Sequence, residues 1–123
     1  MGLDQTAYTK DRKGNSIEIQ WWRKHNALDG WMESLWRTKG NDGEWNCQEL
    51  ELNLEDINRL EDVVENDLLP ETHGFFYGGD SRFSELQKEK TLEFTEEAKT
   101  ILKRKWWERL LNKKKKVFYQ CWW

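Results

Sequence analysis

Three pairs of adjacent tryptophans constrain the fold of this chain more than any other feature of its sequence. They are Trp21-Trp22, Trp106-Trp107 and Trp122-Trp123. Neighbouring residues of a β-strand point to opposite faces of the sheet, so both members of a strand pair cannot enter the same core. Some of these indoles are therefore expected at a surface, in a groove or at a contact between subunits.

The length predicts one domain over residues 1–123, because halves of such a chain would bury too little apolar surface to fold alone. The chain is 37% hydrophobic and 35% charged, with one proline, which favours an ordered globular protein over a disordered one. No apolar run approaches the roughly 20 residues of a spanning helix, and the start MGLDQTAY lacks a signal-peptide pattern. We expect a soluble protein that does not engage a membrane and stays in the compartment where it is made.

The charge balance argues against a dedicated binder of duplex nucleic acid. The net charge is −3, whereas neutralisation of phosphates dominates that kind of affinity. The charges are unevenly distributed, since residues 44–71 are strongly acidic and residues 99–116 are strongly basic. One acidic and one basic surface are expected.

The N-terminal quarter predicts a β-hairpin, with strands over residues 3–9 and 16–22 and a turn between them. In the second strand Ile17, Ile19 and Trp21 alternate with polar residues. This period of two predicts that these three side chains face the core and that Trp22 lies on the opposite face.

The middle of the chain predicts a helix, a strand and a second helix. The first helix is capped by Asn26, and its apolar residues recur at helical spacing: Leu28, Trp31, Met32, Leu35 and Trp36. Leu50 and Leu52 alternate with glutamates, as in a half-buried strand. Asn53 and Asp56 form a capping-box pattern before a helix that ends near Asn66.

The remaining elements complete an α+β fold. The GFFYGG segment at residues 74–79 indicates a short strand, a helix is predicted from about Thr91 to Leu111, and residues 117–123 have the composition of a strand. The predicted order is ββαβαβαβ, with a mostly antiparallel sheet and the helices packed on one face.

The turn from the second strand into the first helix is the first candidate binding site. Helix N-termini bind anions, arginine grips phosphate, and an indole stacks on a base. The residues of this candidate pocket are Trp22, Arg23, Lys24, His25 and Asn26. The alternative is that the basic side chains pair with the acidic helix and that Trp22 packs in a hydrophobic cluster.

Phe76 and Tyr77, in the glycine-bracketed GFFYGG segment, are further candidates for lining that pocket. The segment matches neither the phosphate-binding P-loop nor the dinucleotide fingerprint, so it could equally be a core strand. Trp107, Trp122 and Trp123 are candidate anchors for a protein partner or a homodimer contact. The basic stretch 103–116 could engage an acidic partner or single-stranded nucleic acid, or it could be a solvated charge run at a helix end.

No catalytic or metal-binding motif is recognisable, so the chain is not expected to be an enzyme or to carry a cofactor. The four candidate metal ligands are His25, His73, Cys47 and Cys121, and no two of them have the sequence spacing of a zinc site. We expect both cysteines to be reduced, buried and inert, although a disulfide between them is the alternative.

Four segments resemble a family of short bacteriophage and prophage proteins that has no established activity: MGLDQTAY, WWRKHNALDGWM, LPETHGFFYG and FYQCWW. The matching positions are Gly2, Leu3, Asp4, Trp22, Arg23, Lys24, Asn26, Leu69, Pro70, Gly74, Phe75, Phe76, Tyr119 and Trp122. The chain departs from the family pattern in Trp21, Trp107, Trp123 and the basic stretch. The label phosphoglycerate kinase, sometimes attached to such proteins, does not fit a chain of 123 residues without a phosphate-transfer motif. The resemblance implies a phage origin and a setting in the host cytoplasm.

These features together predict a non-enzymatic binding protein. In one hypothesis it sequesters a nucleotide-like or phosphorylated small molecule at Arg23, Lys24 and His25. In the other it docks on a host protein and modulates it through exposed tryptophans, because Trp and Arg dominate interface hot spots.

Overall fold

The structure is a computed structural model that describes residues 3–11, 13–69, 81–103 and 116–123. These residues form an α+β fold with a four-stranded antiparallel sheet and three helices. The strands are β1 (Asp4–Lys10), β2 (Ser16–Arg23), β3 (Leu50–Leu52) and β4 (Val117–Trp122). The helices are α1 (Asn26–Thr38), α2 (Leu54–Glu65) and α3 (Ser81–Leu102).

The sheet has the order β2-β1-β4-β3, so the C-terminal strand lies between β1 and β3. The predicted hairpin is confirmed, because β1 pairs antiparallel with β2. The described elements follow the order ββαβααβ rather than ββαβαβαβ. The strand predicted over residues 74–79 lies outside the described residues, so the full predicted order is untested.

Two helix starts differ from prediction. The N-cap of α1 is His25 rather than Asn26, and its side chain makes no capping hydrogen bond. Helix α3 begins at Ser81 rather than near Thr91, in a segment with few apolar residues to give a helical period. The predicted extension of this helix to Leu111 lies beyond the described residues.

The capping box of α2 is confirmed, because Asp56 N–H donates to the Asn53 side chain at 2.8 Å and Asn53 N–H donates to the Asp56 carboxylate at 3.0 Å.

A β-bulge in the hairpin exchanges the predicted faces of Trp21 and Trp22, whereas Ile19 packs against the core as predicted. Ala7 pairs with Gln20 while the next residue, Tyr8, pairs with Glu18, which leaves Ile19 as an extra residue on β2. A bulge changes the parity of the strand beyond it. The predictions that Trp21 faces the core and that Trp22 faces away are therefore wrong: Trp22 is fully buried and Trp21 is exposed. Ile17, also predicted to be buried, is half-exposed at the hairpin end.

One face of the sheet, which we call the inner face, packs with all three helices in a single hydrophobic cluster. The strands contribute these side chains: Ala7, Trp22, Leu50, Leu52, Val117, Tyr119 and Cys121. The helices contribute these: Leu28, Met32, Trp36, Ile57, Leu60, Val64, Phe94 and Ala98. The opposite face, the outer face, carries the alternate residues of β1 and β4 together with Trp21. The helices within the described part of the chain are not long and apolar enough to cross a bilayer.

Candidate functional site

Trp22 is part of the core and is not available to stack on a ligand. Its indole packs edge-on against Phe94, with ring centroids 5.4 Å apart, and its Nε1–H donates to Thr91 Oγ1 at 3.1 Å. An indole that is buried with a partner for its N–H is a stable core residue. Of the two alternatives that the sequence left open for Trp22, packing in a hydrophobic cluster is the one observed.

His25 is also buried, although it was a candidate phosphate ligand. Burial lowers its pKa to about 4, and the positive charge of Lys90 contributes in the same direction. The imidazole is therefore neutral at pH 7 and offers no positive charge to an anion. The backbone here is held by Gln5, whose side-chain Oε1 accepts from His25 N–H at 2.8 Å and whose Nε2 donates to His25 O at 3.0 Å.

Arg23 and Lys24 are the exposed members of the predicted pocket. The Arg23 side chain is 67% exposed, and its Nε lies 3.8 Å from the Asp4 carboxylate. Lys24 has a φ of 58°, and its N–H donates to Leu3 O at 2.7 Å, so the chain turns sharply at this residue. Asn26 is half-buried as the first residue of α1. At this turn the basic side chains of Arg23 and Lys24 are therefore exposed, whereas the Trp22 indole and the His25 imidazole are buried.

The outer face carries two exposed tryptophans on different strands. Asp4 on β1 pairs with both Arg23 on β2 and Trp122 on β4, which places these three side chains in one row across the sheet. Two residues further along β1, on the same face, Thr6 pairs with Trp21 on β2. Strands lie about 4.8 Å apart, so Trp21 and Trp122 are separated by roughly 10 Å across the sheet and by two residues along it.

Both indoles are open to solvent, since Trp21 is 52% exposed and Trp122 is 44% exposed. The Lys90 Nζ lies 3.6 Å from the centroid of the Trp21 ring, which gives this indole a cation–π contact. We call the three residues Trp21, Arg23 and Trp122 the tryptophan surface. Trp123 adjoins it at the chain end and is 54% exposed, with its N–H donating to Asn46 Oδ1 at 3.2 Å.

At the other end of the outer face the aromatic side chains of Tyr8 and Phe118 are covered. Tyr8 and Phe118 stack with ring centroids 5.5 Å apart, and both are almost fully buried. Lys10 lies over the Phe118 ring, and the Tyr8 hydroxyl donates to the Glu49 carboxylate. Aromatic residues therefore occupy both ends of this face, but they are covered at one end and exposed at the other.

Strand β2 is at an edge of the described sheet, and two of its backbone groups are occupied by side chains. Trp21 N–H donates to the Gln20 side chain at 3.1 Å, and Arg23 O accepts from Gln87 Nε2 at 3.0 Å. Occupied edge groups disfavour the addition of a further strand.

A buried polar network that no sequence pattern predicts lies on the inner side of β4. The Asp29 carboxylate accepts hydrogen bonds from the Tyr119 hydroxyl at 2.9 Å and from Trp45 Nε1 at 3.2 Å. The Cys121 thiol is a further hydrogen-bond partner, and burial raises the pKa of Asp29 above its usual range. The partners are distant in sequence, so only the fold brings them together.

A shallow depression of about 530 Å³ on α3 is lined largely by glutamates: Glu89, Leu92, Glu93, Glu96 and Glu97. Its negative charge would repel a phosphorylated ligand. Among the residues that the structure describes, no cluster of three His, Cys, Asp or Glu side chains is arranged to hold a metal ion.

Three predicted site residues, Phe76, Tyr77 and Trp107, lie outside the described residues, as do His73 and most of the basic stretch 103–116. Cys121 is buried as expected, whereas the prediction that Cys47 is buried is wrong, because it lies exposed in the loop before β3. No protein-family model matches the chain, no curated protein matches it, and no solved structure matches it.

Proposed function

We propose that this protein is a binding module that docks on another protein through the tryptophan surface. The observation that carries the proposal is the exposure of Trp21 and Trp122 on the same face of the sheet, with Arg23 on the same strand as Trp21 and in the same row as Trp122. Tryptophan and arginine are the residues that most often dominate interface energetics. Exposed apolar side chains that are grouped on one face mark interaction sites more often than isolated ones do.

The charges around this surface favour a partner that presents carboxylates beside apolar side chains. Arg23 is bound only loosely by Asp4, Lys24 is exposed, and the Lys90 ammonium lies at the edge of the surface. A carboxylate of the partner could displace Asp4 and accept two parallel hydrogen bonds from the Arg23 guanidinium. The resemblance to short phage proteins makes a bacterial host protein the proposed partner.

The test is affinity capture from bacterial lysate with four versions of the tagged protein: wild type, Trp122→Ala, Arg23→Ala and Leu68→Ala. Leu68 is 66% exposed and follows α2, so its variant removes an exposed apolar side chain away from the tryptophan surface. We expect one stoichiometric protein on wild type and Leu68→Ala, and at least a tenfold loss on the other two, as for hot-spot residues. Equal capture by all four versions would contradict the proposal.

A phosphorylated small molecule is the second candidate ligand, and the adjacent exposure of Arg23 and Lys24 favours it. Mass spectrometry of the denatured wild-type protein would then detect a retained phosphate compound. Arg23→Ala would lose this compound while Trp122→Ala kept it, which separates the second candidate from the first. A wild-type protein that self-associates in ultracentrifugation, with dissociation caused by Trp122→Ala, would identify a second copy of the chain as the partner.

A further inference from the structure

Cys47 and Cys121 are distant in sequence and adjacent in the fold. The Cys47 N–H donates to Cys121 O at 2.9 Å, and Gln120 Nε2 donates to Cys47 O at 3.0 Å. The Cys121 sulfur also forms a hydrogen bond with the backbone of Cys47. A backbone N–H···O=C bond brings two Cα atoms to roughly 5–6 Å, which is within the span of a disulfide.

The two thiols have different environments. Cys47 is exposed, and its φ of 66° is a strained conformation for a residue other than glycine. Cys121 is fully buried, and its thiol is hydrogen-bonded to the Asp29 carboxylate. The Cys47 thiol, which donates to Asn46 Oδ1 at 3.6 Å, can meet a reagent from solvent, whereas the Cys121 thiol is shielded from solvent.

We propose that Cys47 and Cys121 form a thiol–disulfide exchange site for small disulfides of the glutathione type. The Cys47 thiolate attacks one sulfur of the small disulfide, which breaks its S–S bond, forms a mixed disulfide on Cys47 and releases one small thiolate. Cys121 then transfers its proton to the Asp29 carboxylate, and its sulfur attacks the Cys47 sulfur.

That second step forms the Cys47–Cys121 bond and releases the second small thiolate. Each released thiolate takes up one proton. One of these protons replaces the proton that Cys47 lost to solvent, and the other is the Cys121 proton, released by Asp29. Two protein thiols are oxidised and one small disulfide is reduced to two thiols, so atoms and electrons balance. This reaction goes beyond the proposed function, because it requires no protein partner.

The experiment is incubation of the folded protein with oxidised glutathione, followed by alkylation of free thiols and intact mass measurement. We expect wild type to lose two hydrogen atoms and to resist alkylation, with a glutathione adduct only as a transient. Cys121→Ala should stop at a stable adduct on Cys47, and Cys47→Ser should remain unmodified. A stable glutathione adduct on folded wild type, or no reaction at all, would overturn the proposal.

Asp29→Asn gives a second test, because asparagine cannot accept the Cys121 proton as a carboxylate does. We expect the mixed disulfide to form at the wild-type rate and to convert to the internal disulfide at least tenfold more slowly. Unchanged conversion in a folded Asp29→Asn variant would remove Asp29 from the mechanism. Oxidation should also raise Tm by roughly 5–10 °C, because the bond closes a long loop; an unchanged or lower Tm would argue against a native-like disulfide.

Discussion

Trp21 and Trp22 are neighbours in the chain, and their environments are opposite. Trp22 lies in the core, packed against Phe94 and hydrogen-bonded to Thr91. Trp21 lies on the outer face, where half of its surface meets solvent. Two inner tryptophans, Trp36 and Trp45, repeat the first pattern, whereas Trp122 repeats the second. The same residue type therefore stabilises the fold on one face and is exposed to solvent on the other.

Replacing each of the two tryptophans with alanine tests most strongly whether one lies in the core and the other at the surface. Trp22→Ala should lower the free energy of unfolding by about 3–5 kcal/mol, because it removes a fully buried aromatic side chain and leaves a cavity. Trp21→Ala should lower it by less than about 1 kcal/mol. Urea denaturation measures both, and equal losses would mean that the two indoles are not divided between core and surface.

Acidic pH should lower the free energy of unfolding, because the buried His25 is harder to protonate in the folded protein than in the unfolded chain. Its pKa is about 4 in the folded protein and 6.5 in the unfolded chain, so the unfolded chain binds more protons below pH 6.5. Stability should fall by about 3 kcal/mol between pH 7 and pH 4.

The raised pKa of Asp29 acts in the opposite direction at low pH, because the folded state then binds the proton more tightly. Comparison with His25→Gln isolates the histidine contribution. This variant should show a flatter loss of stability over the same pH interval. Parallel curves for the variant and wild type would show that His25 titrates normally.

Thr91→Val tests the hydrogen bond made by the Trp22 N–H. The substitution keeps the shape of the side chain and removes the hydroxyl that accepts this bond and that also donates to Gln87 O, a second bond that the Thr100 hydroxyl matches by donating to Glu96 O. A buried donor without an acceptor costs about 1–3 kcal/mol, which denaturant titration would detect. Thr100→Val is the matched control on an exposed turn of the same helix, and we expect a smaller change there.

Much of the fold could be predicted because local signals and tertiary packing agree. Leu28, Met32 and Trp36 recur at helical spacing and are buried in α1, and the Asn53–Asp56 capping box is present at α2. The exposed tryptophans were harder to predict, because a single bulge at Ile19 decides which of Trp21 and Trp22 faces solvent. No local sequence signal marked that bulge, and none marked the contacts of Asp29 with residues far along the chain.

The most direct test of the division between the two faces is ¹⁹F NMR of protein labelled with 5-fluorotryptophan, with each resonance assigned from a single Trp→Phe variant. The spectrum is recorded while the protein captured by the wild-type chain is added. Our account predicts that the resonances of Trp21 and Trp122 shift or broaden while those of Trp22, Trp36 and Trp45 stay in place. Shifts confined to the inner tryptophans, or no shift at Trp21 and Trp122, would contradict it.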